Sequence, residues 1–329
     1  MLMRKWRARD AYDFSGKSVV ITGGSRGLGL VMARELAAQG ARLTLIARNE
    51  LELQRAVQDI HARHPFAQVA PAVADVRKRD DAERAIAQAV ERHGRVDVLI
   101  NNAGIIQVGP LDHMKVGDYE DAMNTHFWGP LHMVLAALPH MRRSGQNTGR
   151  GGRIVNISSI GGKIAVPHML PYSASKFALT GLSDGLRLEL MRDGIIVTTV
   201  CPGLMRTGSP VNALFKGKRP QEYAWFAISD SLPLASISAE RAARQIIAAC
   251  RRGDAELIIT VQAKMAVLAR AVVPELFQDA MTVMNGLLPG PSPADGDVAR
   301  RGRESESEWA PSALTAPTYK AAEENNELG

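Results

Sequence analysis

Three side chains in the middle of the chain have the types and the spacing of a proton-transfer site. Tyr172 and Lys176 lie four residues apart, and Ser159 precedes the tyrosine by thirteen residues. On a helix, residues i and i+4 share a face, so the ammonium group would lie beside the phenol. Tyrosine has an ordinary pKa of about 10, and a neighbouring cation lowers that pKa because it favours the phenolate. The serine hydroxyl could hold a substrate oxygen at the same point.

A glycine-rich turn near the N-terminus has the pattern of a dinucleotide site. The apolar, β-branched run at 18–22 leads into Gly23, Gly27 and Gly29, and an apolar helical pattern follows over 30–38. Glycine lets the backbone turn sharply and approach a ligand closely. The N-terminus of the following helix offers unpaired N–H groups to phosphate. Strand, glycine turn and helix in this order predict dinucleotide binding.

Four motifs in this order resemble those of the classical short-chain dehydrogenase/reductase family. They are Thr22-Gly23-x-x-x-Gly27-x-Gly29, Asn101-Asn102-Ala103-Gly104, Ser159 with Tyr172-x-x-x-Lys176, and Pro202-Gly203. The resemblance covers roughly residues 13–262. It implies a nicotinamide-dependent oxidoreductase that interconverts a carbonyl and a secondary alcohol.

The elements that must position these motifs alternate between strand and helix. Apolar strand-like runs occur at seven places between residues 18 and 260, with helical patterns between them. This alternation predicts a parallel sheet covered by helices on both faces. The resemblance implies a Rossmann-type, doubly wound α/β fold with seven strands in the order 3-2-1-4-5-6-7. Ligands of such sheets bind at the carboxyl ends of the strands.

Charge near the second strand predicts NADP(H) as the cofactor. That strand ends at Ala47 rather than at an acidic residue, Arg48 follows it, and Arg26 lies within the glycine turn. Guanidinium groups suit a 2′-phosphate through bidentate bonds, and we expect no carboxylate there to repel it. The resemblance implies the further cofactor contacts Thr22, Gly23, Ser25, Gly27, Leu28, Gly29, Asp75, Val76, Asn102, Ala103, Gly104, Tyr172, Lys176, Pro202, Gly203 and Thr207.

The resemblance also implies a role for each catalytic side chain. Tyr172 would donate a proton to the carbonyl oxygen in reduction, or accept one in oxidation. Lys176 would lower the pKa of the tyrosine and bind the nicotinamide ribose, and Ser159 would bind the substrate oxygen. Asn124 would hold a water molecule that links Lys176 to solvent, with local helix bonding as the alternative. Ser158 competes for the serine role, although the spacing to the tyrosine favours Ser159.

The segment from about 204 to 233 is predicted to close over the substrate. It carries the apolar residues Met205, Val211, Leu214, Phe215, Tyr223, Trp225 and Phe226, and the basic residues Lys216, Lys218 and Arg219. Apolar lining favours a hydrophobic carbonyl substrate. The basic residues leave a 3-oxoacyl-thioester reductase, acting on acyl carrier protein or CoA, as an alternative. Simple lid packing with solvated charges is the other interpretation.

Two further segments follow the catalytic domain, which we place at 13–262. Residues 263–289 have the pattern of an amphipathic helical extension, for packing on the domain or on a second subunit. Peripheral membrane contact through 262–288 is the alternative. Residues 290–329 are rich in Pro, Ser, Glu and Ala with few large apolar side chains, and this composition predicts disorder.

Composition limits the remaining function classes. The chain has 329 residues, a formal charge of +6 and only 5% aromatic residues, a poor match for a base-stacking nucleic-acid surface. Two cysteines and a basic start at residues 1–9 without an apolar core favour a cytoplasmic protein, and we expect no metal site. The family often forms homodimers or homotetramers. A dinucleotide-binding regulator or scaffold without turnover is the alternative of another class, which the complete Ser159, Tyr172 and Lys176 set disfavours.

Overall fold

A parallel sheet forms the centre of the computed structural model, which describes residues 12–148, 151–232, 236–292 and 295–328. The strands of these described ranges are β1 Ser18–Thr22, β2 Arg42–Ala47, β3 Gln68–Val73, β4 Val98–Asn101, β5 Gln107–Val108, β6 Arg153–Ile157, β7 Ile196–Pro202, β8 Leu204–Arg206, β9 Leu214–Phe215, β10 Ser236–Ser238, β11 Glu256–Ile259 and β12 Arg300–Arg301. The basic start at residues 1–9 lies outside the described residues.

Helices connect the strands of the sheet and continue beyond it. They are α1 Gly27–Ala37, α2 Glu50–Arg63, α3 Arg79–His93, α4 Val116–Met123, α5 Gly129–Thr148, α6 Leu170–Leu190, α7 Arg219–Ser231, α8 Ala239–Arg252, α9 Val261–Val272, α10 Pro274–Gly286 and α11 Ala316–Glu324. A π-helical turn, Asn124–Trp128, joins α4 to α5.

The central sheet has seven strands in the order β3-β2-β1-β4-β6-β7-β11, all paired in parallel. Counted among themselves, these strands have the order 3-2-1-4-5-6-7, so the predicted Rossmann topology is confirmed. The order reverses between β1 and β4. A crevice therefore opens at the carboxyl ends of the strands, where ligands of doubly wound folds bind.

Two apolar cores, one on each face, hold the helices against the sheet. On one face Leu36 of α1, Ile60 of α2 and Ile246 of α8 are buried in one cluster. On the other face Ile86 of α3 and Met133 of α5 belong to a second cluster. Every residue of β1 is buried, which is the pattern of a strand covered on both sides.

The predicted helical extension consists of α9 and α10, and Pro274 begins the second helix. Proline fits the first turn of a helix because its missing N–H would be unpaired there. Many large apolar side chains of this pair stay exposed, among them Val261, Met265, Leu268, Leu276 and Val283.

The tail differs from the predicted disorder, because residues 295–328 are folded against the domain. Strand β12 pairs with β9, and the hydroxyl groups of Tyr319 and Tyr223 lie 2.6 Å apart. Thr318 and Ala322 are buried. Composition suggested disorder because the tail has few large apolar residues, whereas the folded tail is held by small side chains and hydrogen bonds.

Candidate active site

The glycine turn is shaped by the loop that follows β4. Gly23 has a φ of +64°, and a Cβ atom at this residue would lie 2.9 Å from the Cα of Ala103. A side chain at Gly29 would overlap the carbonyl oxygen of Gly23. Both positions therefore require glycine, the first for its left-handed backbone and both for the close approach.

Asn102 and Thr22 hold this turn in place. The Thr22 hydroxyl oxygen accepts from the backbone N–H groups of Asn102 at 2.9 Å and Ala103 at 3.0 Å. The Asn102 side chain donates to the carbonyl oxygens of Thr22 at 3.1 Å and Gly23 at 3.2 Å. These bonds join β1 to β4 across the point where the strand order reverses. The predicted residues Thr22, Gly23, Asn102 and Ala103 thus form one connected unit.

The two candidate serines have different environments. The Ser158 hydroxyl lies 3.1 Å from the carbonyl oxygen of Lys176 and 2.8 Å from the Thr180 hydroxyl, which ties β6 to α6. The Ser159 hydroxyl accepts from the N–H of Gly161 at 3.0 Å and hydrogen-bonds with the phenol of Tyr172. Ser159 is therefore the serine that the structure brings beside the tyrosine.

Lys176 lies against the tyrosine but is itself buried. Its ammonium nitrogen is 5.6 Å from the centre of the Tyr172 ring and donates to the carbonyl oxygen of Ile157 at 2.9 Å. Burial lowers the pKa of Lys176 to about 7. Burial also raises the pKa of Tyr172 above its ordinary value, against the opposing effect of the hydrogen bond with Ser159.

This electrostatic balance differs from the expected one. We predicted that the lysine cation would lower the pKa of Tyr172, but desolvation favours the neutral form of both groups. The site as folded therefore holds a protonated phenol beside an amine that titrates near neutral pH.

Asn124 lies at the surface, between α4 and α5. It begins the π-helical turn between α4 and α5 and its side chain is exposed, without a hydrogen bond to any described residue. Lys176 instead bonds the backbone of β6. The water-holding role of Asn124 stays a prediction.

Two polar side chains of this turn are buried, Thr125 and His126, and sequence reasoning missed His126. The N–H of Ile105 donates to its Nε2 at 3.1 Å, so Nδ1 carries the proton and donates to the Ser175 hydroxyl at 2.8 Å. The ring meets that of Tyr172 edge-on, with 5.4 Å between centres. Burial holds the pKa of His126 well below its usual value, so the ring stays neutral. The only sequence signal was its position two residues after Asn124. The extra residue of a π turn changes which side chains of the helix face inward, and His126 is one of them.

The two arginines predicted to hold the cofactor lie in different settings. Arg48 is exposed just after β2. Burial acts to raise the pKa of Asp75, but hydrogen bonds from Arg77 and the charge of Arg48 outweigh it and leave that pKa lowered. Arg26 precedes α1, and its guanidinium lies 3.7 Å from a carboxylate oxygen of Glu52. The expectation that no carboxylate stands in this region is therefore wrong, because α2 brings Glu52 back to the glycine turn.

The remaining predicted cofactor contacts follow the carboxyl ends of the sheet strands. Pro202 ends β7, and the N–H of Gly203 bonds the carbonyl oxygen of Ile259 at 3.3 Å. Thr207 is buried, and its hydroxyl oxygen accepts from the N–H of Ser209 at 3.2 Å. Val76 is buried, and a Cβ atom at Gly104 would lie 3.2 Å from Nε2 of His126. The other predicted contacts, Leu28 and Ser25, are buried at the start of α1 and just before it.

The predicted lid packs beside the tyrosine. Phe215, Tyr223 and Phe226 are buried in an apolar cluster against which Tyr172 packs. The basic patch is largely paired, because Lys216 contacts Asp118 at 2.5 Å and Arg219 contacts Asp295 at 2.6 Å. Among the described residues, no group of three or more His, Cys, Asp or Glu side chains could hold a metal ion.

Comparison with known proteins agrees with this geometry. The model of the family described as short chain dehydrogenase matches residues 17–214, and the chain belongs to that family. It is 37% identical over 202 residues to 11-beta-hydroxysteroid dehydrogenase-like 4A of Arabidopsis thaliana, covering 61% of this chain and 65% of that protein. It is 39% identical over 188 residues to a protein of Streptomyces violaceoruber named as ketoacyl reductase 1 of the granaticin polyketide synthase, covering 57% and 67%.

A solved structure shows the same fold. The L-sorbose reductase from Gluconobacter frateurii, complexed with NADPH and L-sorbose, superposes with a TM-score of 0.66 at 24% identity, over 75% of this chain and 97% of that one. Family membership supports an oxidoreductase that uses a nicotinamide dinucleotide. No helix within the described ranges has the length and apolar character that crossing a membrane requires.

Proposed function

We propose that the protein is an NADP(H)-dependent oxidoreductase that interconverts a carbonyl and a secondary alcohol, with Tyr172 as the general acid and base. One observation carries the proposal. The Tyr172 phenol is hydrogen-bonded to Ser159 and has the amine of Lys176 5.6 Å from its ring. These side chains lie near the carboxyl end of β6. The glycine turn follows the carboxyl end of β1 in the same sheet.

The chemistry of the three side chains follows from their surroundings. The nicotinamide supplies or accepts the hydride. Burial keeps the phenol of Tyr172 protonated, so it is ready to donate to a carbonyl oxygen, and this favours the reductive direction. Ser159 stabilises the charge that develops on that oxygen. With a pKa of about 7, Lys176 can pass a proton towards the phenol near neutral pH.

Cofactor recognition is assigned to the glycine turn and two arginines. The first N–H groups of α1 suit a diphosphate. Arg48 is exposed after β2 and can bind a 2′-phosphate, whereas Arg26 forms an ion pair with Glu52. The preference for NADP(H) over NAD(H) therefore rests mainly on Arg48.

The substrate is proposed to be a hydrophobic ketone or the matching secondary alcohol, because the lid beside Tyr172 is apolar. A 3-oxoacyl-thioester substrate is the second candidate, favoured by the similarity to the Streptomyces protein. The pairing of Lys216 and Arg219 with carboxylates weakens it, since those cations are engaged within the chain.

Location and assembly complete the proposal. Cys201 and Cys250 are both free and buried, which fits a reducing compartment such as the cytoplasm. We propose a homodimer or homotetramer. The exposed apolar residues of α9 and α10 offer a surface for a second copy, with contact to a membrane surface as the alternative.

The first experiment measures oxidation of NADPH and of NADH against ketones, aldehydes, quinones and 3-oxoacyl thioesters. Tyr172→Phe removes the acid, and Tyr119→Phe is the matched control outside the site. Turnover that prefers NADPH and disappears only in Tyr172→Phe supports the proposal. Tight dinucleotide binding without turnover on any substrate favours the scaffold, and failure to bind either dinucleotide refutes both.

A further inference from the structure

The end of the tail lies on the glycine turn that the proposed function assigns to the cofactor. The backbone N–H of Gly27 donates to the carbonyl oxygen of Asn325 at 2.9 Å. The side chain of Asn326 donates to the carbonyl oxygen of Ser25 at 2.8 Å. Gly27 is the first residue of α1, so its N–H is one of the groups that a helix N-terminus offers to an anion. In this structure the tail accepts the hydrogen bond from that N–H group.

The carboxylate of Glu327 also lies at the N-terminus of α1, beside Arg26 and Gly27. It is 6% exposed, lies 3.4 Å from the guanidinium of Arg26, and accepts from the side chain of Asn212 at 2.7 Å. One of its oxygens is 2.6 Å from the point where a Cβ atom of Gly27 would stand. Helix N-termini and guanidinium groups both favour anions, so a carboxylate at this point makes the kind of contacts that a phosphate group would make.

Flanking contacts hold the tail on either side of the glycine turn. Arg34 donates to the carbonyl oxygen of Glu324 at 2.7 Å and to the Asn325 side chain at 2.9 Å. At the other end Ala322 touches Gly208, where any side chain would overlap it. The tail thus reaches from the stretch after β7 to the turn before α1.

We infer that the glycine turn is a binding site for the chain's own acidic C-terminal segment, residues 324–328, and that this segment competes with the dinucleotide for the turn. The inference rests on the proposed function, because it takes the same turn as the cofactor site. Both ligands need the N–H of Gly27 and the charge of Arg26, so they exclude one another.

The tether explains how such a short segment can compete. Thr318 and Tyr319 of α11 are held to α7 by hydroxyl contacts of 2.6 Å to Ser231 and Tyr223. An anchored segment has a high effective concentration at its site. The measured affinity for the dinucleotide is then reduced by the fraction of molecules in which the turn is open.

The test compares dinucleotide binding with and without the segment. A chain that ends at Glu323 loses every contact to Ser25, Arg26 and Gly27 but keeps the hydroxyl contacts of α11. Glu327→Gln keeps the size of the side chain and removes its charge, and Glu323→Gln, at an exposed residue of the same tail, is the matched control. The NADPH dissociation constant is measured by titration of the full-length protein and of each variant.

We expect the dissociation constant to fall at least tenfold in the shortened chain and several-fold in Glu327→Gln, with no change in Glu323→Gln. Hydrogen exchange adds a second readout, because NADPH should release the hydrogen-bonded amides of Asn325 and Glu327 in the full-length chain. An unchanged or weaker affinity in both altered chains overturns the inference and leaves the proposed function standing. If no chain binds NADPH or NADH, the proposed function fails together with the competition.

Discussion

Nδ1 of His126 lies 2.8 Å from the hydroxyl oxygen of Ser175, and that hydroxyl donates to the backbone carbonyl oxygen of Tyr172 at 2.8 Å. The other ring nitrogen accepts from the N–H of Ile105. A neutral imidazole of one defined tautomer thus joins the loop after β4 to the first turn of α6, which carries the proposed catalytic tyrosine. Since both ring nitrogens are occupied, we predict that His126 acts by positioning the tyrosine.

Replacing this imidazole should reduce turnover without reducing cofactor affinity. In His126→Ala the backbone of Tyr172 loses its support, and misplacement of a reacting group by about 1 Å costs roughly 100-fold in rate. We expect kcat to fall about 10- to 100-fold while KM for NADPH stays near its original value. His61→Ala, an exposed histidine of α2, is the control. Equal turnover in both variants would remove the positioning role.

Replacing the two adjacent serines should have different effects, on turnover for Ser159 and on stability for Ser158. Ser159→Ala removes a donor to the substrate oxygen, and loss of one such donor lowers kcat by about 10²–10³. Ser158→Ala should keep turnover close to normal and lower the free energy of unfolding by about 1 kcal/mol, because its bonds to Lys176 and Thr180 are lost. Steady-state kinetics and urea unfolding of both variants check this. A larger kinetic loss in Ser158→Ala would reverse the assignment.

Charge at residue 48 should decide the choice of dinucleotide. Hydrogen bonds to charged groups contribute about 1.5–3 kcal/mol, so Arg48→Asp should weaken NADPH binding about 10- to 100-fold. NADH binding should change little, because NADH lacks the 2′-phosphate. Titration of both dinucleotides tests this, with Arg92→Asp at an exposed residue of α3 as the control. A parallel loss for NADH would show that Arg48 does not read the phosphate.

Asp230 should make stability depend on pH. Burial raises the pKa of this carboxyl from 3.8 to about 7 in the folded protein, against weaker hydrogen bonds from Thr318 and the backbone of Met205. Between pH 4 and 7 the folded state therefore binds more protons than the unfolded state, and stability falls as pH rises through this window.

Asp230→Asn should remove this dependence. One pKa unit corresponds to about 1.4 kcal/mol, so at pH 8 we expect the variant to be more stable than the original protein by about 1–3 kcal/mol. At pH 4 the two should be nearly equal. Urea unfolding at both pH values measures the difference, and Asp279→Asn on the exposed surface of α10 controls for net charge. A constant difference across pH would contradict the assignment.

Local pattern was sufficient for the framework of the site. Seven strand-like runs were predicted between residues 18 and 260, and the seven strands of the sheet lie within that range, because buried parallel strands are short apolar runs that need no distant partner to be recognised. The glycine turn before α1 and the shared face of Tyr172 and Lys176 follow from periodicity and backbone sterics, which act over a few neighbouring residues.

Other features depended on which groups the fold brings together. The burial of His126 beside the tyrosine depends on a π turn that adds one residue to a helix. The pKa of Lys176 depends on burial, and the sign of the charge around Arg26 depends on Glu52 and Glu327, which are 26 and 301 residues away along the chain. Spacing determined which residues could meet locally, whereas desolvation and long-range contacts, which no local pattern encodes, determined their charges and their partners.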